Sequence, residues 1–316
     1  MRPHPRRMPP SLLPVIDGAT ALRMTRPGFL LITVVGCLLG CAVFRLSGGS
    51  LDLWRALLTV LLALLAHAAA NVFNDYHDAC NGADAANAEG LFPFTGGARM
   101  IQNGEVTLAQ TRQLALALSL ALVCGGLWFA VSVGWPVLLL GCVGVFLAWA
   151  YSAPPLALMS RGWGELSVGA AWGLMVIGAD VVQRGAFSLL PIVAAVSYGL
   201  LIANILLING FPDAKADAQV GKRTLVVRVG PRGAAWLYVG FALTAHAWLA
   251  LAVWLGWAPA AMGVGLLSFP LSGFASVALL HQARNSQRLR PAIVATIGAA
   301  VVHGVAVLAG SALAGL

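Results

Sequence analysis

Asn71, Asn74, Asp75, Asp78 and Asp84 fall within the stretch NVFNDYHDACNGAD (71–84), directly behind a long apolar run. The chain has eleven acidic residues, and three of them are here. A second polar set, Asn209, Asp213 and Asp217, also follows an apolar run and repeats every four residues. Residues three or four apart share a helix face. Helix continuing through each set therefore lines up one polar ridge at 209–217 and another at 71–78. Carboxylates this close repel unless cations sit among them. Oxygen-rich sets of Asp and Asn suit Mg2+, which keeps several waters and binds substrate phosphates. Two such clusters facing each other can hold Mg2+ around a diphosphate and neutralise it as its bond breaks.

Other residues extend that chemistry. In FTGGARMIQNG (94–104), Gly96 and Gly97 permit close backbone approach, and Arg99 is a candidate phosphate contact. GKRT (221–224) adds Lys222 and Arg223, which also read as positive anchors at a membrane surface. Pro212 cannot donate a backbone hydrogen bond and Gly210 loosens the turn before it, so a helix break is expected near 210–212. Tyr151 and Arg161 flank a short central loop. Asp180 is expected to pair with Arg184. His67, His246 and His303 read as hydrogen-bonded interior histidines. Glu165 starts an apolar span, where the helix dipole favours negative charge.

The elements that must carry these residues follow from composition. Of 316 residues, 59% are hydrophobic and 9% charged, with mean hydropathy +0.86. A soluble domain carries about 25% charged residues, so the chain reads as a polytopic membrane protein. Nine spans are expected, near 28–46, 53–73, 112–133, 135–151, 164–182, 188–209, 233–253, 257–280 and 291–313. With the N-terminus in the cytoplasm, sixteen of the nineteen Lys and Arg fall on the cytoplasmic side, and only Arg45, Arg55 and Arg184 fall outside. That bias accounts for the formal charge of +8 without nucleic acid. The same side holds both aspartate-bearing loops, 74–111 and 210–232. The five cysteines show no paired spacing, so neither a disulfide framework nor a zinc site is expected. The basic, proline-rich stretch 1–27 reads as a retained cytoplasmic tail ahead of a membrane domain, 28–316.

NDYHDACNGAD resembles the first aspartate-rich motif of the UbiA-type intramembrane prenyltransferases. Its Gly82-x-Asp84 ending is similar to the menaquinone branch, the 1,4-dihydroxy-2-naphthoate prenyltransferases. NGFPDAKADAQVGKRTLVVRVG (209–230) resembles that branch's second motif, and YSAPPLALMSRGWGEL (151–166) its central loop. Relatives often carry an acidic residue where this chain has Gly210, and an aromatic one at His77.

The resemblance implies an all-α fold, a bundle of about nine transmembrane helices around a lipid-open central cavity. It implies Mg-dependent transfer of a polyprenyl group from a polyprenyl diphosphate to an aromatic acceptor at the cytoplasmic side of the inner membrane. Asp75, Asp78, Asp84, Asp213 and Asp217 then hold Mg2+, two ions being expected. Asn71, Asn74, Asn209, Arg99, Lys222 and Arg223 contact the diphosphate. Tyr151 shields the allylic cation or orients the acceptor, and Arg161 meets an acceptor carboxylate. The acceptor indicated is 1,4-dihydroxy-2-naphthoate, with 4-hydroxybenzoate or homogentisate as alternatives. A cation-coupled transporter is the rival from another class. It predicts carboxylates near mid-bilayer spread over several spans.

Overall fold

The structure, a computed structural model, describes residues 16–314. Among these it holds helices and no strands. The elements are α1 (Gly18–Met24), α2 (Pro27–Leu46), α3 (Leu53–Asn81), α4 (Ala83–Ala86), α5 (Leu108–Val133), α6 (Trp135–Ser152), α7 (Gly164–Arg184), α8 (Leu190–Gln219), α9 (Leu225–Trp254), α10 (Phe269–Gln282) and α11 (Arg290–Ala314). A 3-10 segment, Ala260–Ser268, runs into α10 and completes its span. Nine stretches among the described residues are long and apolar enough to cross a membrane, as expected. The first fifteen residues of the expected tail lie outside the described residues.

Lipid is as apolar as leucine, so close packing and interhelical hydrogen bonds must hold such a bundle together. The buried alanines 194, 195, 203, 234, 235, 242, 245, 299 and 300 let helices approach. α8 is the central helix, packed against α7 and α9, with 78% of its apolar window buried. α5 and α6 are outermost, at 17% each. The Tyr198 hydroxyl on α8 donates to the Ile32 carbonyl of α2 at 2.6 Å. His246 Nε2 lies 2.9 Å from Ser268 Oγ, and Ser268 Oγ lies 3.3 Å from His303 Nδ1. His303 Nε2 lies 3.0 Å from Ser197 Oγ, which closes a chain from α9 to α8. The interior histidines are hydrogen-bonded, as expected. On the far side of the bundle, Arg184 Nη2 donates to Asp180 Oδ1 at 2.7 Å, the expected pair.

Three helices differ from the expected spans, and each difference bears on function. α3 runs eight residues past 73 and α8 ten past 209. Hydropathy falls at the aspartates, but those side chains turn inward, so the helices continue past the apolar window. The break expected near 210–212 is absent: α8 passes through Pro212 without interruption. Phe211 and Pro212 are buried, and Leu207, Ile208 and Phe211 share an apolar cluster with Val226 and Tyr238 of α9. Packing holds the backbone where a lone proline would loosen it. The break occurs instead in α9, which starts at Leu225 and kinks at Gly230 (φ 73°, ψ 165°), just before Pro231. A proline disfavours the helical conformation at the residue before it, and the positive φ requires glycine.

Candidate active site

The inward ends of α3 and α8 bring the two aspartate sets together. Lys222, from the turn after α8, lies between them: its Nζ is 2.9 Å from Asp78 Oδ1 and 3.1 Å from Asp217 Oδ1. Burial works against the ammonium, but Asp78 and Asp217 outweigh it and hold the Lys222 pKa above its usual value. Asn74 Nδ2 donates to Asp78 Oδ2 at 3.2 Å, and Asn81 Nδ2 to Asp78 Oδ1 at 3.1 Å.

The loop after α4 lies over both sets. Asn87 Nδ2 donates to Asp213 Oδ1 at 2.6 Å, and the Gly96 N–H to Asp213 Oδ2 at 3.1 Å. The Ala98 N–H donates to Asp75 Oδ2 at 3.3 Å. Gly97, between them, has φ 74°, and a Cβ there would come within 2.9 Å of Asp75 Oδ1 and 3.1 Å of Asp84 Oδ2. The glycine pair thus serves close backbone approach, as expected, though to carboxylates of the chain itself. Asp84 is buried, with Gln102 Nε2 at 3.4 Å. Burial first, then Asp78 and Asp75, push its pKa up to about 7.

Asp75 has a partner the sequence did not single out. Arg26, just before α2, donates its guanidinium to Asp75 and, at 3.3 Å, to Asn74 Oδ1. Desolvation works against the charge, and the Asp75 carboxylate more than restores it. The Arg26 backbone is left-handed (φ 56°), an uncommon state for a non-glycine residue. In the sequence Arg26 is one more basic residue beside a membrane span, and only the fold distinguishes it. Asn87 is the second residue missed, for no local pattern marks it.

A polar pocket of about 120 Å³ opens among these groups. Asp78, Asp84, Asp213 and Asp217 line it with Glu165, so five carboxylates meet two cations, Arg26 and Lys222. Asp75 lies behind Arg26 and is not on the wall. An apolar cavity of about 810 Å³ adjoins the pocket, walled by α2, α3, α5, α6, α7 and α8. Arg26, Asn74, Phe94, Tyr151, Leu206 and Asn209 line both and form the boundary. Asn71 is on the apolar side and donates its Nδ2 to the Thr25 carbonyl at 2.9 Å.

Three expected phosphate or acceptor contacts lie elsewhere. Arg99 Nη1 donates to the carbonyls of Asn87 (2.8 Å) and Asp84 (3.2 Å), and its guanidinium stacks on Phe92. It shapes the loop and does not reach either cavity wall. Arg161 is exposed and donates Nη2 to the Pro155 carbonyl at 2.7 Å. Arg223 is exposed, with its backbone N–H on the Ser160 carbonyl. A surface loop lets both side chains point to water.

Among the described residues, no three His, Cys, Asp or Glu side chains converge into a ready-made metal cage. Mg2+ does not ask for one: it takes one or two carboxylates, water and substrate oxygens. The donor set is all oxygen, and its negative charge exceeds its positive charge. Among the described residues, buried polar atoms on the wall, Arg26 Nε, Asn87 Oδ1 and Asn209 Oδ1 among them, have no hydrogen-bond partner. Buried polar atoms are normally paired, so these await polar company. The pocket fits a divalent cation together with an oxyanion.

The sequence model of the UbiA prenyltransferase family matches residues 29–297. The 1,4-dihydroxy-2-naphthoate octaprenyltransferase of Bacillus subtilis (strain 168) is 29% identical over 254 residues, 80% of this chain and 79% of its own length. The Escherichia coli (strain K12) protein of the same name is 31% identical over 219 residues, 66% of this chain and 68% of its own. In fold, the chain is similar to the UbiA homolog of Aeropyrum pernix K1 (TM-score 0.69, 18% identity, 89% of this chain and 98% of that one). The UbiA homolog of Archaeoglobus fulgidus bound to GPP and Mg2+ is also similar (TM-score 0.58, 15% identity, 92% and 99%).

Proposed function

The chain belongs to the UbiA prenyltransferase family, and on that premise we propose that it joins a polyprenyl group to 1,4-dihydroxy-2-naphthoate. It is an integral membrane protein and an aromatic prenyltransferase. The naphthoate assignment is supported by the relatives of that name at 28–31% identity. One observation carries the site assignment: an aspartate-lined polar pocket meets a long apolar cavity at a shared boundary. The diphosphate belongs in the first and its polyprenyl tail in the second.

Asp78, Asp84, Asp213 and Asp217, with Asp75 once Arg26 moves from it, are the residues to hold Mg2+, and two ions suit their number. Mg2+ held there would neutralise the departing diphosphate. Lys222 and Arg26 then have a second anion within reach, and fixed cations in a site closed to water stabilise developing charge strongly. Tyr151, on the boundary, stands where the C–O bond breaks, between tail and diphosphate. Its ring keeps water from the allylic cation and faces the acceptor. Arg26, in place of Arg161, is the cation available to an acceptor carboxylate. The charge bias of the loops supports a cytoplasmic position for the pocket. The carboxylates lie together at one end of the helices, where a transporter would spread them through mid-bilayer.

The test is transfer by purified protein in liposomes, with labelled polyprenyl diphosphate, Mg2+ and an acceptor panel including the naphthoate, 4-hydroxybenzoate and homogentisate. Prenylated naphthoate is the expected product. Product with a different acceptor alone refutes the naphthoate assignment and keeps the reaction.

A further inference from the structure

Four of the five carboxylates on the pocket wall have partners. Asp78 and Asp217 share Lys222, Asp213 accepts from Asn87 and Gly96, and Asp84 faces Gln102. Glu165 is different. It is only 5% exposed and lines the pocket, yet among the described residues no side chain pairs with its carboxylate. A carboxylate on the pocket wall with no side-chain partner is free to act on what the pocket holds, and its place in the fold gives it a position to do so. Glu165 heads a stripe on α7 that continues at one-turn spacing through Val168, Trp172, Met175 and Ala179, all lining the apolar cavity. The carboxylate therefore sits just past the end of the tail cavity, on the polar-pocket wall that Tyr151 also lines, where on the reading above the tail's reacting carbon and the acceptor ring meet.

We propose that Glu165 is the general base that takes the hydroxyl proton of the aromatic acceptor; this rests on the prenyl-transfer reading above. The acceptor O–H bond breaks, the proton passes to a Glu165 oxygen, and the electron pair stays on the acceptor oxygen. Charge delocalised to a ring carbon forms the new C–C bond to the first prenyl carbon. The C–O bond to diphosphate breaks, and its pair leaves with the diphosphate. The ring is then a dienone. It loses CO2 when the attacked carbon carries a carboxylate, or a proton to water when it carries hydrogen. Either loss returns a pair to the ring and restores the oxyanion, which takes its proton back from Glu165. The aspartates are less suited to this step, since their oxygens are engaged by cations and donors that serve the diphosphate.

The test uses full-length wild type, Glu165→Gln and Glu165→Asp in liposomes, with two readouts: Mg2+-dependent binding of the prenyl diphosphate, and turnover across hydroxy-aromatic acceptors of graded acidity. Glu165→Gln is expected to bind the diphosphate as wild type does. It should lose about 100-fold or more in turnover with weakly acidic acceptors. The loss should vanish with acceptors already ionised at the assay pH, and Glu165→Asp should recover part of it. An equal loss across the series shows a structural role and overturns the proposal, as does full activity of Glu165→Gln or loss of diphosphate binding. Failure of the underlying reading looks different: wild type then binds the diphosphate but prenylates no acceptor, and the proposal falls with it.

Discussion

Asp78 and Asp217, on helices far apart in sequence, are bridged by a single ammonium: Lys222 Nζ is 2.9 Å from one carboxylate and 3.1 Å from the other. All three side chains are buried. The contact is a place-holder for cationic charge between two groups that otherwise repel.

Lys222→Met removes that charge and leaves two facing carboxylates. Breaking a buried ion pair costs about 3–5 kcal/mol. Thermal unfolding in detergent is expected to show a lower Tm for the variant without metal. Added Mg2+ should raise that Tm by more than it raises the wild-type value. Equal Mg2+ responses would contradict the role given to Lys222.

Arg26 and Arg161 separate the structural reading from the sequence expectation. Arg26→Gln is expected to cost about 100-fold in transfer, the usual effect of losing one positioned donor at a developing charge. Arg161 is exposed and bonded to a loop carbonyl, so Arg161→Ala should stay within about fivefold of wild type. Steady-state rates decide it, and the reverse order would sink the site as drawn.

The same residues mark how far the sequence carries the fold. The four-residue spacing of Asn209, Asp213 and Asp217 fixes one helical face, and α8 carries all three on it. Hydropathy located all nine spans, because lipid imposes that signal on every turn. What failed was tertiary in origin. Pro212 reads as a break, but burial against α9 overrides it. Gly230–Pro231 reads as ordinary loop, yet it bends a helix. The glycine pair marks Arg99 out in sequence and nothing local marks Arg26, yet Arg26 lies against Asp75 and Arg99 folds a loop.

Gly97 gives a sharp steric prediction. Alanine there must adopt φ near 74° and place its Cβ 2.9 Å from Asp75 Oδ1. The conformation alone costs about 1–2 kcal/mol, and the clash moves a carboxylate. Gly97→Ala should lower both Tm and Mg2+ affinity, whereas Gly104→Ala, whose Cβ meets nothing within 4 Å, should lower Tm alone. Loss of Mg2+ affinity in both would contradict the local account.

Asp84 makes stability depend on pH. Burial and its acidic neighbours lift its pKa from 3.8 to about 7 in the folded chain. Between those values the folded state keeps a proton that the unfolded state releases. Metal-free stability from this group is therefore full at low pH and falls as pH rises to about 7. Asp84→Asn should flatten that part of the Tm profile. A wild-type slope of the same size in the variant would assign the titration to another group.

The central claim, that the two aspartate sets form one Mg2+-dependent diphosphate site, is tested most directly by titrating a prenyl diphosphate into purified wild-type protein by calorimetry, with Mg2+ and with EDTA. Saturable binding with Mg2+, lost in EDTA, is the predicted result. Binding of equal strength in EDTA, or none in folded protein with Mg2+ present, would contradict it.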